Sequence, residues 1–381
     1  MRALASTAKL SVHRADTNRS SAMTKMSKLE LGVFLPIGNN GFLMSTTAPQ
    51  YAPSFEMNKQ ISVLAENLGF DYVFSMSKWR GFGGATGFWD TTLESISLMT
   101  GLAAVTSRIG IIATMQPVLF PPAVAAKMAA TIDDLSGGRF GINLVTGSFL
   151  DEYTQMGILP PDYSKIRYRY AKEWLHVVKR LWTEESVTFD GEWFHLKDCR
   201  SSPKPLQKPH PFLICAGTSD EGFRFTAQEA NHSFINGITV EHTRQLSRRM
   251  KDIAAEAGRS VKTATTLMPI LDETDAGAQK QWKYIQDGAD KEALATLANY
   301  YSKGDRESSK NRILKMERDV SFAGRMIPGS PATLAAIIEE LVVDGGLDSI
   351  QLLFPDYIKG LKIFHAEVMP LLQRRELRLA S

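Results

Sequence analysis

Five short stretches of the 381-residue chain hold side chains with which chemistry could be done. In "FSMSKWRGFGG", Phe74 to Gly84, an apolar run hands Ser77, Lys78 and Arg80 into a glycine-rich loop. A cation at the end of a strand can stabilise an anion or an enolate-like oxygen; a solvated lysine is the alternative. In "FGINLV", Phe140 to Val145, Asn143 is a polar residue inside an apolar run, and a buried amide must find hydrogen-bond partners in the core or on a ligand. In "ICAGTSDEGFRF", Gly217, Thr218 and Ser219 separate an apolar run from the start of a helix. Such a turn gathers free backbone N–H groups and hydroxyls into a phosphate cradle, although many strand-to-helix turns look the same. In "KIRYRYAKEWL", Arg167 and Tyr168 offer a guanidinium fork and a phenol that could meet the same anion, or simply cover a helix surface. In "FLPIGNNGFLMSTTAPQY", Asn39 and Asn40 open a loop longer than the usual ~4–6 residues. Their amides suit a ring with alternating C=O and N–H edges, while an Asn-Asn-Gly turn also favours them.

These stretches need elements that bring them together. From Leu29 onward, short apolar or β-branched runs alternate with helical periodicity, the pattern of βα units around a parallel sheet. The strands are expected at Leu31–Leu35, Asp71–Met76, Ile109–Thr114, Phe140–Val145, Phe212–Cys215, Ser233–Asn236, Thr265–Ile270 and Ser349–Phe354. Helices are expected between them, near 54–68, 91–106, 123–135, 166–182, 221–229, 240–257, 331–343 and 359–372. An open doubly wound sheet usually carries Gly-x-Gly-x-x-Gly after its first strand. Here that strand runs into Gly38-Asn39-Asn40-Gly41, so the expected fold is an α/β (β/α)8 TIM barrel, its active site at the C-terminal strand ends.

Residues 29–381 are read as one barrel domain with two insertions. "TFDGEWFHL", residues 188–196, has the Asp190-Gly191 dipeptide of a hairpin. Residues 272–321 read as amphipathic helix followed by the charged "KGDRESSKNR", a mobile lid or a solvated loop. Residues 1–28 carry six cations against the single acid Asp16 and lack the apolar core of a secretory signal, so a disordered extension is expected, with Met23 or Met26 as a possible start.

The totals narrow the function. Forty-four Lys and Arg against 41 Asp and Glu give a net charge of +3 with no basic stripe, which disfavours nucleic acid. No apolar run reaches the roughly 18–20 residues of a membrane span. Seven scattered histidines and the isolated Cys199 and Cys215 lack metal-ligand spacing, so no metal is expected and the thiols read as free in a reducing, cytoplasmic setting.

Taken together, the segments resemble the bacterial-luciferase-like flavin monooxygenases, over nearly the whole chain from Leu29. "KMAATIDDLSGGRFGINLVTG", Lys127 to Gly147, is similar to their most recognisable signature. Within that family, "VFLPIGNNGFLMSTTAPQY", "RGFGG", "LESISLMTGLAAVTSRI" and "EYTQMGI" resemble the pyrimidine monooxygenase branch, to which a riboflavin-cleaving lyase is related. The resemblance implies a two-component enzyme using FMN as FMNH2 with O2, supplied by a separate NAD(P)H:flavin reductase. It implies that Ser77 and Lys78 lie against the flavin ring, that Asn143 bonds its edge with Glu152 nearby, and that Arg167, Tyr168 and Ser219 hold the phosphate beside Gly217. Lys78, Asn143, Asn39 and Asn40 are the expected catalytic set.

One departure bears on the substrate, a small nitrogen heterocycle. Ser148 stands where pyrimidine monooxygenases carry Trp after Val-Thr-Gly, and Gln116 lies in "TMQPVLFPP", which also differs from that branch. A pocket lined by Met76, Thr114, Gln116, Ser148 and Phe149 is therefore expected to be reshaped, unless Phe149 fills the space. Uracil-type ring opening and riboflavin cleavage to lumichrome are the two substrate readings, and Ser148 tilts the balance toward the larger. A hydride-transferring deazaflavin or NADH enzyme and a non-catalytic flavin-binding protein are the rivals. Apolar positions such as Leu93, Ile96 and Leu98 to Val105 could pack within the barrel shell or form a homo-oligomer contact.

Overall fold

The computed structural model describes residues 29–147, 149–235, 237, 239–302 and 320–379. The expected extension at 1–28, Ser148, Asn236 and the charged segment 303–319 lie outside the described residues. The strands are β1 Glu30–Phe34, β2 Tyr72–Phe74, β3 Gly110–Met115, β4 Phe140–Leu144, β5 Val187–Asp190, β6 His195–Cys199, β7 Phe212–Cys215, β8 His232–Phe234, β9 Lys262–Leu271, β10 Arg325–Gly329 and β11 Ser349–Leu352. Parallel pairing runs β1-β2-β3-β4-β7-β8-β9-β11, and β11 pairs back onto β1, so these strands close a barrel of eight.

The eight barrel strands are those expected from the apolar runs. β10 was not anticipated. β9 is long enough to serve two partners, closing the barrel through Ala264–Leu267 against β11 and carrying β10 on Leu267–Leu271. Inside the barrel, Tyr72 lies in register between Gly32 and Gly110. A Cβ on Gly32 would sit 2.2 Å from the Tyr72 ring, so that glycine makes room for the tyrosine. Phe34 and Phe74, at 4.8 Å between ring centroids, fill the next level.

The helices are α1 Phe55–Asn67, α2 Ser95–Val105, α3 Pro122–Leu135, α4 Leu150–Gln155, α5 Tyr163–Thr183, α6 Asp220–Glu229, α7 Val240–Glu256, α8 Asp275–Asp287, α9 Lys291–Ser302, α10 Pro331–Val343, α11 Tyr357–Ile363 and α12 Met369–Arg374, with a π-helical turn Phe364–Val368 joining the last two. None among the described residues is long and apolar enough to cross a membrane. On α2, Ile96, Leu98, Met99 and Leu102 are buried within the single chain, whereas Val105 at its end is exposed. At the end of α3, Gly137 and Gly138 take φ of 65° and 82°, turning the chain directly into β4.

Both insertions are docked. The tip of the β5–β6 hairpin is held by the Glu173 carboxylate of α5, which accepts the N–H groups of Glu192, Trp193 and Phe194. Helices α8 and α9 are tied to the loops that follow β1 and β2. Ser45 Oγ donates to Ile285 O at 2.5 Å, Thr47 Oγ1 to Tyr284 O at 2.6 Å, and Asp290 N to Met44 O at 2.9 Å. Thr86 donates both its N–H and its hydroxyl to Asp290 Oδ2 at 2.7 Å. Over its described part, the second insertion is thus tied to the loops that follow β1 and β2, and the charged stretch expected to be a mobile lid or a solvated loop lies outside the described residues.

Candidate active site at the barrel mouth

The loop that leaves β2 turns Lys78 inward, where it meets Glu152 from the first turn of α4. The two side chains form an ion pair with only 4% and 3% of their surfaces exposed. The ammonium also lies over the rings of Phe149, at 3.7 Å, and Phe82, at 4.4 Å. Aromatic faces attract a cation and exclude water. Burial pushes the Lys78 ammonium below its usual range, and Glu152 opposes that shift. Burial likewise raises the Glu152 carboxyl, against the pull of Lys78 and of the Trp79 and Arg80 backbone N–H groups. A buried charge this well surrounded acts strongly on any polar group brought beside it.

Ser77, Trp79 and Gln116 make a second cluster. Ser77 Oγ and Trp79 Nε1 both donate to Gln116 Oε1, at 3.0 and 3.1 Å. Gln116, expected as a pocket residue, thus holds the β2 loop against the end of β3. Below it, Asn143 in β4 lies in register with Thr114 in β3 and Ile214 in β7. Asn143 Nδ2 donates to Thr114 Oγ1 at 2.9 Å, and Thr114 Oγ1 donates to Ser75 O at 2.6 Å. Asn143 Oδ1 is buried with no donor. A buried acceptor left open is costly unless a ligand satisfies it. Met76 is buried at the end of the same β2 run.

The ends of β4 and β7 form the third part. Tyr168, in α5, sets its hydroxyl against the turn after β7: a Cβ on Gly217 would lie 2.5 Å from it, and one on Gly222 2.7 Å. Ser219 caps α6, accepting Gly222 N at 3.1 Å, which leaves its hydroxyl proton free to donate. Arg167 is half-buried, its guanidinium 5.1 Å from the Tyr168 ring, and has no carboxylate partner among the described residues. Asp220 and Glu221 open α6 with negative charge, but Asp220 is ion-paired with Arg249. A guanidinium, two hydroxyls and a helix start with unbonded N–H groups are the groups that could hold an anion here.

Asn39 and Asn40 do not face this site as free amides. Asn39 Nδ2 donates to Thr86 O and Gly87 O, at 3.1 and 2.8 Å, and its Oδ1 accepts Thr91 N. Asn40 Nδ2 donates to Thr86 O, and its Oδ1 accepts Tyr51 N. The two residues sew the β1 loop to the β2 loop, because each amide is consumed by backbone groups about 46 residues away or more, or in its own loop. In this structure both amides are engaged by backbone groups of these two loops.

Other contributors carried no sequence signal. Trp79, Phe82, Tyr300 and Phe322 read as ordinary aromatic residues, yet Phe149 lies within 5.4 Å of Phe82, 4.4 Å of Tyr300 and 6.1 Å of Phe322 between centroids. Only the folded chain brings 79–82, 149, 300 and 322 to one place.

The barrel mouth thus brings together a buried cation, an open amide oxygen on β4 and a half-buried guanidinium beside the turn after β7. The luciferase-like monooxygenase family model matches residues 29–349. The chain is 44% identical to the pyrimidine monooxygenase RutA of Rhizobium rhizogenes over 356 residues, covering 91% of this chain and 97% of that protein. It is 43% identical to RutA of Pseudomonas savastanoi pv. phaseolicola, over 91% of this chain and 98% of that one. Among solved structures, a riboflavin lyase, RcaE, with modified FMN and riboflavin superposes with a TM-score of 0.81 at 18% identity, covering 94% of this chain and 93% of that one. The chain belongs to the luciferase-like monooxygenase family. It is a monooxygenase that works with reduced flavin and O2.

Proposed function

We propose that the chain is a two-component pyrimidine monooxygenase that opens a uracil-type ring, taking FMNH2 from a separate NAD(P)H:flavin reductase. The observation that carries the substrate class is the 44% identity, over almost the full length of both chains, to proteins named pyrimidine monooxygenases. The likeness to riboflavin lyase, at 18% identity, supports the barrel alone. The tilt toward a flavin-sized substrate drawn from Ser148 is therefore set aside, and Phe149, packed between Lys78 and Tyr300, occupies the mouth.

The site residues fit FMN. The open acceptor on Asn143 matches a ring N–H, and Arg167, Tyr168, Ser219 and the turn at Gly217 match a phosphate. Bound FMNH2 supplies the reaction with O2 and the oxygen that reaches the substrate. The chain's own part is positioning and charge. Asn143 is fixed by Thr114, so its Oδ1 orients the flavin edge without reorganising. Lys78 meets a pyrimidine carbonyl and stabilises the negative charge that grows on that oxygen when the ring amide opens. Glu152 favours the charged form of the lysine against the effect of burial, and Phe82 and Phe149 exclude the water that would screen it.

The test is an aerobic assay with a flavin reductase, FMN and NADH, offering uracil or riboflavin in turn. Consumption of uracil to a ring-opened acid, with riboflavin unchanged, is the expected result. Lumichrome from riboflavin with uracil untouched would overturn it.

A further inference from the structure

Gln116 uses only half of its amide within the chain. Its Oε1 accepts from Ser77 Oγ at 3.0 Å and from Trp79 Nε1 at 3.1 Å, and the same indole N–H reaches Ser77 Oγ at 3.0 Å. An indole N–H can only donate, so the atom that faces it is the amide oxygen and the NH2 group points away from the cluster. Nε2 has no hydrogen-bond partner among the described residues and, unlike Asn143 Oδ1, is not sealed from solvent, although Gln116 as a whole is only 4% exposed. The backbone directs this donor toward the mouth. Alternation carried one residue past β3 sets Gln116 on the same face as Thr114, whose hydroxyl holds Asn143, while the buried Met115 between them faces the other way. Leu119 N donates to Gln116 O at 3.0 Å, and Gln155 Nε2 donates to Trp79 O at 2.8 Å, so the backbones on both sides of the cluster are fixed. A locked amide with open N–H donors recognises an acceptor. It penalises a donor in the same place, because N–H groups would then face one another unpaired.

We infer that Gln116 is a specificity-determining residue: its Nε2 donates to a ring carbonyl of the substrate, so the site takes a pyrimidine-dione and rejects a ring that carries an exocyclic amino group in that position. The inference rests on the pyrimidine reading above and adds to it the edge by which the ring is chosen. Gln116 takes no part in the oxygen chemistry; it decides which ring is held beside Lys78 and Asn143.

Gln116→Glu is the direct test, since one carboxylate oxygen can keep the bonds from Ser77 and Trp79 while the other turns the donor into an acceptor. Dissociation constants for uracil, cytosine and isocytosine are measured by titrating the full chain with FMN bound; each of the last two replaces one carbonyl of uracil by an amino group. The unmodified chain should bind uracil at least about tenfold more tightly than one of these analogues. In Gln116→Glu that preference should fall about a hundredfold, with one hydrogen bond lost to uracil and one gained by the analogue. Gln116→Met, of similar length and with neither group, should lose about tenfold for uracil and narrow the same ratio. A residue that only holds the β2 loop would weaken all three ligands alike, so ratios that stay within about threefold in both variants would overturn the inference. If the unmodified chain neither binds nor converts any of the three, the pyrimidine reading fails and the inference falls with it. If uracil is converted while the ratios do not move, only the role of Gln116 is lost.

Discussion

Lys78 and Glu152 face each other as an ion pair almost sealed from solvent, at 4% and 3% exposure, with Phe149 and Phe82 closing over the ammonium. Each partner makes the other tolerable. Glu152→Gln should destabilise the protein by ~3–5 kcal/mol, because it strands a buried cation, while Lys78→Met combined with Glu152→Leu should recover most of that loss and remain inactive. Denaturant unfolding of the three variants checks this; a double variant as unstable as Glu152→Gln would speak against a desolvated pair.

The same pair sets a pH dependence. Burial lowers the Lys78 value in the folded chain, and Glu152 partly restores it. An activity that needs the ammonium is therefore lost as pH rises through a value below the ordinary lysine 10.5. Removing the carboxylate in Glu152→Gln should move that loss to still lower pH. A kcat/KM profile whose basic limb stays put in the variant would dissociate Lys78 from the chemistry.

At the opposite end of the barrel, Glu30 is bonded to His232 at 2.9 Å and ion-paired with Lys262. Burial would raise its carboxyl, but His232 and Lys262 outweigh that and lower it from 4.5 to about 2. A depressed carboxyl contributes stability that is fully present above pH 4.5 and lost as pH falls toward 2. The whole shift corresponds to about 3 kcal/mol at most. Glu30→Gln should thus flatten the acid limb of the stability profile, and equal acid sensitivity in variant and parent would contradict the pairing.

Asn143 should separate function from stability. Its Oδ1 is buried without a donor, so Asn143→Leu removes an unsatisfied group while Thr114 keeps its bond to Ser75. Thermal stability within ~1 kcal/mol of the parent, with affinity for reduced FMN down at least about tenfold, is the expected pattern. Anaerobic flavin titration reads the second quantity; unchanged affinity would remove Asn143 from the flavin site.

Gly147 is held by space and by conformation. Its φ is 78°, and a Cβ would sit 2.0 Å from the Tyr153 hydroxyl. Gly147→Ala should cost at least ~1–3 kcal/mol and displace α4, lowering melting temperature and turnover together. A fully stable, fully active alanine variant would show that the turn has slack.

What could be read from the sequence divides along a physical line. Most barrel strands were legible because they are short apolar runs buried on both faces, such as "FGINL" in β4. β10 was not, since "RMIPG" mixes a charge, a proline and a glycine and is a strand only because β9 extends far enough to pair with it. Lys78, Asn143 and Ser219 stand out in the sequence as polar residues in or just after apolar strands, whereas Tyr168, expected to open its helix, lies in the second turn of α5 because that helix begins at Tyr163. The fate of Asn39 and Asn40 was not, because the carbonyls that claim their Nδ2 groups belong to Thr86 and Gly87, in another loop. Tyr300 was equally hidden: its ring meets Phe149 only in the folded chain.

The measurement that bears most directly on the central claim is mass spectrometry of the uracil reaction run under ¹⁸O2 with FMN kept reduced. A ring-opened product carrying one ¹⁸O atom, formed at the expense of uracil, is the expected result. Unlabelled product, or uracil recovered intact while O2 is consumed, would contradict it.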